Sequence, residues 1–253
     1  MKEFENKTAL VTGASRGIGA AAAIALAQAG VKRVVAHYGS HRKGAEETAA
    51  AVRAADAEAD VIGGELGSSP GIEQFLAELK RAAPKIDILV NNAGSLVKRA
   101  RLPEYTPELF DTVMALNVKS VYFLAQAVAP HMVEQNSGVI INLSSIAARN
   151  GGGPGATIYS AAKAAVTAIT KGLAKELAPK GIRVNAVSPG TVDNHFHEVF
   201  STREVLNNVI AQTPAGRLGT NEEIADAIVF LCSDAARYIH GQTIEINGGM
   251  LMV

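Results

Sequence analysis

A chain of 253 residues, 48% hydrophobic and 19% charged, is long enough to bury one sizeable core and short for two ordinary domains, so one unit over 1–253 is expected. Lys plus Arg and Asp plus Glu balance at 24 each, which leaves no acidic tail or basic stripe to point to nucleic acid. A lone cysteine, a polar start (MKEFENKTALVTG) and no apolar run near the roughly 18 residues a bilayer needs exclude a disulfide framework, a signal peptide and a membrane span; a cytoplasmic protein is expected.

Short β-branched runs alternate with longer Ala-rich ones. The first strand is TALVTG, and a helix over about 16–29 follows it through VTGASRGIG. Gly13, Gly17 and Gly19 at that turn suit a backbone that bends tightly and approaches a pyrophosphate at a helix N-terminus. Ser15, Arg16 and Ile18 share the loop. Gly13-Ala14-Ser15-Arg16-Gly17 also satisfies the G-x-S-x-G elbow of α/β hydrolases, with Ser15 as nucleophile. That elbow normally lies deep in a chain, and Gly19 would have no role in it, so the hydrolase reading is disfavoured.

The second strand, RVVAHY, leads to a helix over about 43–55, and the third, ADVIGGEL, ends at Glu65 and Leu66 before a helix over about 72–83. IDILVNNAG is the fourth, closing in small residues from Asn91 through Ala93 to Gly94 that admit a flat ring or ribose; a plain polar turn is the bland alternative. A helix over about 107–135 breaks near Asn117, where a kink or cap is the ordinary explanation. GVIINLSS ends in Ser144 and Ser145, NGGGPGA is the only low-complexity patch, and a helix over about 158–179 carries YSAAK. IRVNAVSPG is the sixth strand, Thr191–Leu218 lacks clear periodicity, and a helix over about 221–232 precedes the last strand, QTIEING. Near-continuous apolar strands joined by helices predict an α/β, Rossmann-like, doubly wound parallel sheet of about seven strands. The segment over about 191–218 then falls at the carboxyl edge, where ligands bind, and is expected to form a substrate loop.

Taken together, Thr12 to Gly19, Asn91 to Gly94, Asn117, Ser145, Tyr159, Lys163 and Pro189-Gly190 resemble the short-chain dehydrogenase/reductase family over essentially the whole chain. The resemblance implies an NAD(P)-dependent oxidoreductase interconverting a carbonyl and an alcohol, with Asn117, Ser145, Tyr159 and Lys163 as its catalytic tetrad. On a helix, Lys163 lies on the Tyr159 face, and an ammonium there is expected to lower the phenol pKa so that one group serves as acid and base. Ser145 would hydrogen-bond the substrate oxygen, Lys163 would also hold the nicotinamide ribose, and Asn117 would support a proton-relaying water chain. Around the nicotinamide the family places Pro189, Gly190 and Val192, with Asn194 here at a usual threonine position and Thr191 as the nearby alternative. A non-catalytic dinucleotide-binding redox sensor is the runner-up.

At the end of the second strand an acid would bind the adenine-ribose hydroxyls of NAD. His37, Tyr38, Ser40, His41, Arg42 and Lys43 stand there instead, with no acid before Glu46, and Arg16 lies in the glycine loop. These groups suit a phosphate, so NADP(H) is expected over NAD(H). The layout also looks like 3-oxoacyl-carrier-protein reductases, which dock an acyl carrier protein on basic residues near the turn before strand five. Here VEQNSG supplies none, Lys180 and Arg183 being the nearest substitutes, and a small ketone, sugar or steroid-like alcohol is preferred. His195 and His197 lack the carboxylate or thiol company of a metal site, and no metal is expected; Cys232 reads as a core residue. Apolar residues on more than one face of VYFLAQAVAPHM and AAKAAVTAITKGLAKEL, and the tail MLMV, fit the homotetramer that the resemblance implies.

Overall fold

A computed structural model describes residues 4–253; residues 1–3 of the expected unit lie outside the described residues. The seven strands are β1 (Thr8–Val11), β2 (Arg33–Tyr38), β3 (Glu58–Gly63), β4 (Ile88–Asn91), β5 (Gly138–Leu143), β6 (Ile182–Pro189) and β7 (Thr243–Ile246). They form one sheet, ordered β3-β2-β1-β4-β5-β6-β7, with every neighbouring pair parallel. β1 pairs with β2 on one side and β4 on the other, Leu10 facing both Val35 and Leu89, so chain direction through the sheet reverses there. A crevice at the carboxyl ends of β1 and β4 follows from that reversal.

Helices cover both faces, which is why the strands read as apolar throughout. α1 (Gly17–Gln28), α2 (Arg42–Ala54) and α10 (Asn221–Cys232) lie on one face, where Ala22, Leu26, Val52, Ile224, Ile228 and Cys232 join a core with Ala9 and Val11. On the other lie α3 (Ser69–Ala82), α5 (Ser120–Glu134) and α7 (Thr157–Leu177), contributing Phe75, Leu79, Leu124, Met132 and Leu177 around Leu10 and Leu89. Thr220 and Glu223 form a capping box that starts α10.

α4 (Pro107–Met114) runs into α5 through a wide π turn, Ala115–Lys119, which is the break expected near Asn117. The joined helix, Pro107–Glu134, is apolar and long enough to cross a membrane by length and composition. Its inner side carries Val113, Val121, Leu124, Val128 and Met132, all buried in the protein. A short α6 (Ala147–Asn150) precedes α7.

The stretch over about 191–218 differs from its reading as aperiodic, for it contains two helices, α8 (His195–Phe200) and α9 (Arg203–Gln212). The Asn194 side chain accepts from Phe196 N–H and that of Thr202 from Val205 N–H, so each helix has its own cap. α8 is six residues long, too short to display a helical period.

Candidate active site

A cleft of about 1170 Å³ opens at the carboxyl edge, its floor the β1–α1 glycine loop. Gly13 and Gly17 adopt left-handed φ of +64° and +59°, which a side chain would resist. A Cβ on Gly19 would stand 2.3 Å from Gly13 O and 2.4 Å from Asn92 Nδ2, so only glycine lets α1 start this close to the loop. The β4 end fixes the arrangement: Thr12 Oγ1 accepts from the N–H groups of Asn92 and Ala93, both at 2.9 Å, and Asn92 Nδ2 donates to Thr12 O and Gly13 O. The result is a backbone cradle ending at a helix N-terminus, and it fits a dinucleotide pyrophosphate.

Gly13, Ser15, Arg16, Gly17 and Ile18 line the cleft, as do Ala93 and Gly94. Asn91 lies outside its lining. It is buried beneath the sheet edge, donating to Asn142 Oδ1 at 2.9 Å and Val121 O at 3.2 Å, and its neighbour Asn92 faces the cleft instead. Leu66 lines the cleft, but Glu65 turns aside onto Ser68 Oγ and Gly67 N–H.

At the end of β2, His37, Ser40 and His41 line the cleft, while Tyr38 and Arg42 do not. Tyr38 covers the end of β3, where a Cβ on Gly63 would meet its ring at 2.7 Å. Arg42 begins α2, is largely exposed and pairs along the helix with Glu46 at 3.4 Å. His41, one residue earlier at the N-cap, reaches the cleft in its place. His37 is 2% exposed and uses both ring nitrogens within the protein, so it presents no cation to a phosphate.

Tyr159 sits in the first turn of α7 and Lys163 one turn later, their i,i+4 spacing placing Lys163 Nζ 5.7 Å from the Tyr159 ring centroid. Ser145, just beyond β5, accepts from Ala147 N–H at 3.1 Å and lines the cleft beside Tyr159, close enough to pull its phenol pKa down. Lys163 is 3% exposed and donates to Leu143 O at 2.7 Å, which ties α7 to the end of β5. Burial pushes the Lys163 ammonium down to about 8. It pushes the half-buried Tyr159 phenol up to about 12, against the opposite pull of nearby Ser145. The expected lowering of Tyr159 by Lys163 is therefore not seen. The ammonium lies over the ring, and desolvation of the phenolate dominates.

Asn117 is fully buried behind the cleft, outside its lining. Its Oδ1 accepts from Ser95 N–H at 3.2 Å, and its Nδ2 donates to Ser95 O and Val113 O, both at 2.9 Å. A Cβ on Gly94 would meet Asn117 Oδ1 at 2.7 Å and Lys163 Nζ at 2.9 Å, so these two groups flank one glycine. Ser144 also lines the cleft, and its hydroxyl donates to Lys163 O at 3.0 Å.

Pro189, Gly190, Thr191, Val192 and Asn194 form the far wall after β6. Gly190 N–H bonds Ile246 O, and Asn194 Nδ2 donates to Asn221 Oδ1 at 3.1 Å while its Oδ1 caps α8. α8 folds over the site, its Phe196 ring 5.8 Å from that of Tyr159. Arg99 ties this lid down by donating to Phe200 O and Pro154 O. His195 and His197 bond Glu198 and Ser201, and among the described residues no group of three or more His, Cys, Asp or Glu side chains gathers as metal ligands. Phe196 was not singled out from the sequence, and Asn92 only as part of the run Asn91 to Gly94, whereas His41 was named there among the groups that suit a phosphate.

The family model described as Enoyl-(Acyl carrier protein) reductase matches residues 13–251. The 3-oxoacyl-[acyl-carrier-protein] reductase of Staphylococcus epidermidis is 40% identical over 247 residues, 98% of this chain and all of that one. A putative gluconate dehydrogenase from Agrobacterium tumefaciens superposes with a TM-score of 0.90 at 30% identity, covering 99% of this chain and 98% of its own. A gluconate 5-dehydrogenase from Burkholderia cenocepacia, in complex with NADP and tartrate, gives 0.87 at 32% identity, with 98% and 97% covered. With the glycine cradle, the Tyr159–Lys163–Ser145 cluster and full-length matches in hand, the chain belongs to the short-chain dehydrogenase/reductase family, NAD(P)-dependent oxidoreductases that interconvert a carbonyl and an alcohol.

Proposed function

We propose that this chain acts as one catalytic unit, reducing a carbonyl to a secondary alcohol with NADP(H), with Tyr159 as proton donor, Ser145 as hydrogen-bond partner of the substrate oxygen and Lys163 as the nearby cation. The observation that carries this is the placing of Tyr159 and Ser145 beside buried Lys163, in the same cleft as the glycine cradle. A neutral phenol is the protonation state a reductase needs at the start of reduction. When bound, the nicotinamide supplies the hydride. Asn117 holds Ser95 and backs Gly94, a supporting position compatible with a proton relay.

For the 2′-phosphate of NADP(H), the cleft offers Arg16, Ser40 and His41, with no carboxylate among the β2-end residues that line it. A charge-assisted hydrogen bond contributes about 1.5–3 kcal/mol, so losing one costs roughly ten- to a hundredfold in affinity. Arg16→Ala is expected to lower kcat/KM for NADPH by that factor and leave NADH within about threefold. Equal losses with both cofactors would refute phosphate reading by Arg16.

Beside Asn150, His195 and His197, the lining carries an apolar group of Leu96, Phe196, Val199, Phe200, Leu206 and Met250. It suits a small carbonyl compound with an apolar tail. Acyl carrier protein substrates are the second reading, favoured by the full-length similarity to 3-oxoacyl-carrier-protein reductases. Arg183 does not serve such docking: it is buried, donating to the carbonyls of Leu231, Cys232, Ser233 and Ala236 at the end of α10. A panel of small β-keto esters, sugar acids and acyl-carrier-protein thioesters at fixed NADPH decides; the highest kcat/KM is expected for the apolar esters. Efficient reduction of the protein-bound thioester alone would reverse the preference, and tight cofactor binding with no turnover of any carbonyl or alcohol would favour a redox-sensing binder.

A cytoplasmic location and a homotetramer complete the reading. Phe110, Tyr122 and Val133 leave apolar surface exposed along α4 and α5, and Met252 and Val253 do so at the tail. A monomer by light scattering at micromolar concentration would contradict the tetramer.

A further inference from the structure

Gly13 N–H donates to Nδ1 of His37 at 3.1 Å. The same ring reaches Gly64 O through Nε2 at 3.0 Å, and the main-chain carbonyl of His37 accepts from Ala14 N–H at 2.8 Å. An amide N–H only donates and a carbonyl only accepts, so one state satisfies both ring contacts: neutral imidazole with its hydrogen on Nε2. The ring is tilted against Phe75 with centroids 4.5 Å apart. The groups that hydrogen-bond or stack on this residue are Gly13 and Ala14 from the glycine loop, Gly64 from the end of β3 and Phe75 from α3, none of them charged. Burial holds the imidazole down at about 4, neutral through the ordinary working range.

Two walls of the cleft thus meet on one side chain. Gly13 belongs to the pyrophosphate cradle, and Gly64 and Leu66 line the wall beside the end of β3. We propose that His37 is a positioning residue: it fixes the Gly13 amide and the Gly64 carbonyl in the register that cofactor binding requires, and it does so as the neutral Nε2–H tautomer. The inference rests on the reading that this cleft holds a dinucleotide. Without the imidazole, the partly buried Gly13 N–H loses its acceptor in the protein, and the left-handed turn it opens keeps only the Ala14 N–H to His37 O bond as its tie to β2.

Two measurements test it. Histidine nitrogen NMR of the unliganded wild-type protein is expected to show His37 as the Nε2–H tautomer, without titration from pH 8 down to about 5. The opposite tautomer, or a midpoint near 6.5, would overturn the assignment. In the second, His37→Phe keeps a ring against Phe75 but offers neither hydrogen bond. It should raise the Kd and KM for NADPH about 10- to 100-fold, with kcat at saturation within about threefold and carbonyl-substrate KM unchanged. His37→Gln, which can still accept from Gly13, should recover part of that loss. An unchanged NADPH Kd in folded His37→Phe, or kcat and both KM values changing together with no recovery in His37→Gln, refutes the proposal. If His37→Phe does not fold, the tautomer and His37→Gln decide. Wild-type protein that binds neither NADPH nor NADH overturns the dinucleotide reading as well, whereas normal NADPH binding insensitive to His37 overturns this inference alone.

Discussion

Tyr159→Phe is expected to lower kcat for carbonyl reduction by about 100- to 1000-fold, about 2.7–4 kcal/mol in barrier, with NADPH affinity retained within about threefold. The ring fills the same space against Phe196 and under the Lys163 ammonium, so packing is kept and only the O–H is removed. The pH profile divides the labour between the pair. The phenol, pushed up to about 12, stays protonated across the assay range, whereas Lys163, pushed down to about 8, is charged below that pH and loses its charge as pH rises through it. A basic limb near pH 8 in kcat/KM for reduction is therefore assigned to Lys163. It should move upward in Lys163→Arg, whose guanidinium does not titrate there. Near-normal turnover in Tyr159→Phe would remove the phenol from the mechanism, and a basic limb unmoved in Lys163→Arg would assign that limb elsewhere.

How much of this was legible in the sequence depends on the kind of signal. All seven strands and their helical crossovers were readable, because β-branched runs bounded by glycine and proline survive without knowledge of packing. The facing of residues at strand ends was not. A strand covered on both faces shows no polar alternation, so nothing in ILVNN says whether Asn91 or Asn92 meets the cleft, and the structure gives the cleft to Asn92. The same blindness made His37 look like a phosphate ligand when it is turned inward onto Gly13. Arg42 and His41 differ for another reason. Where α2 begins decides which of two adjacent basic residues points back at the loop, and helix starts are read to only a few residues. Spacing served better where one helix holds both groups: Tyr159 and Lys163 meet as i and i+4 require. Their pKa directions needed burial, which spacing does not carry.

Gly19→Ala is the substitution expected to damage cofactor binding most from outside the catalytic cluster. The added methyl would stand 2.3 Å from Gly13 O and 2.4 Å from Asn92 Nδ2. The amide of Asn92 cannot yield cheaply, since it donates to both Thr12 O and Gly13 O and holds the loop against β4. Nor can Gly13 O retreat freely, because the Gly13 N–H on the other side of that residue is anchored to His37. The clash is relieved only by moving α1 away from the loop, and overpacking of this kind costs about 1–3 kcal/mol. On the proposed cofactor reading the displaced loop would hold the pyrophosphate, so that cost falls on the bound state and the NADPH Kd should rise about 10- to 100-fold or more. Thermal unfolding should show a smaller loss, because Ala is otherwise favoured over glycine inside a helix by about 1 kcal/mol. Isothermal titration with NADPH and a melting curve on the same preparation separate the two effects. Wild-type affinity in Gly19→Ala would show that the loop tolerates the methyl and that the close approach of α1 is not required for binding.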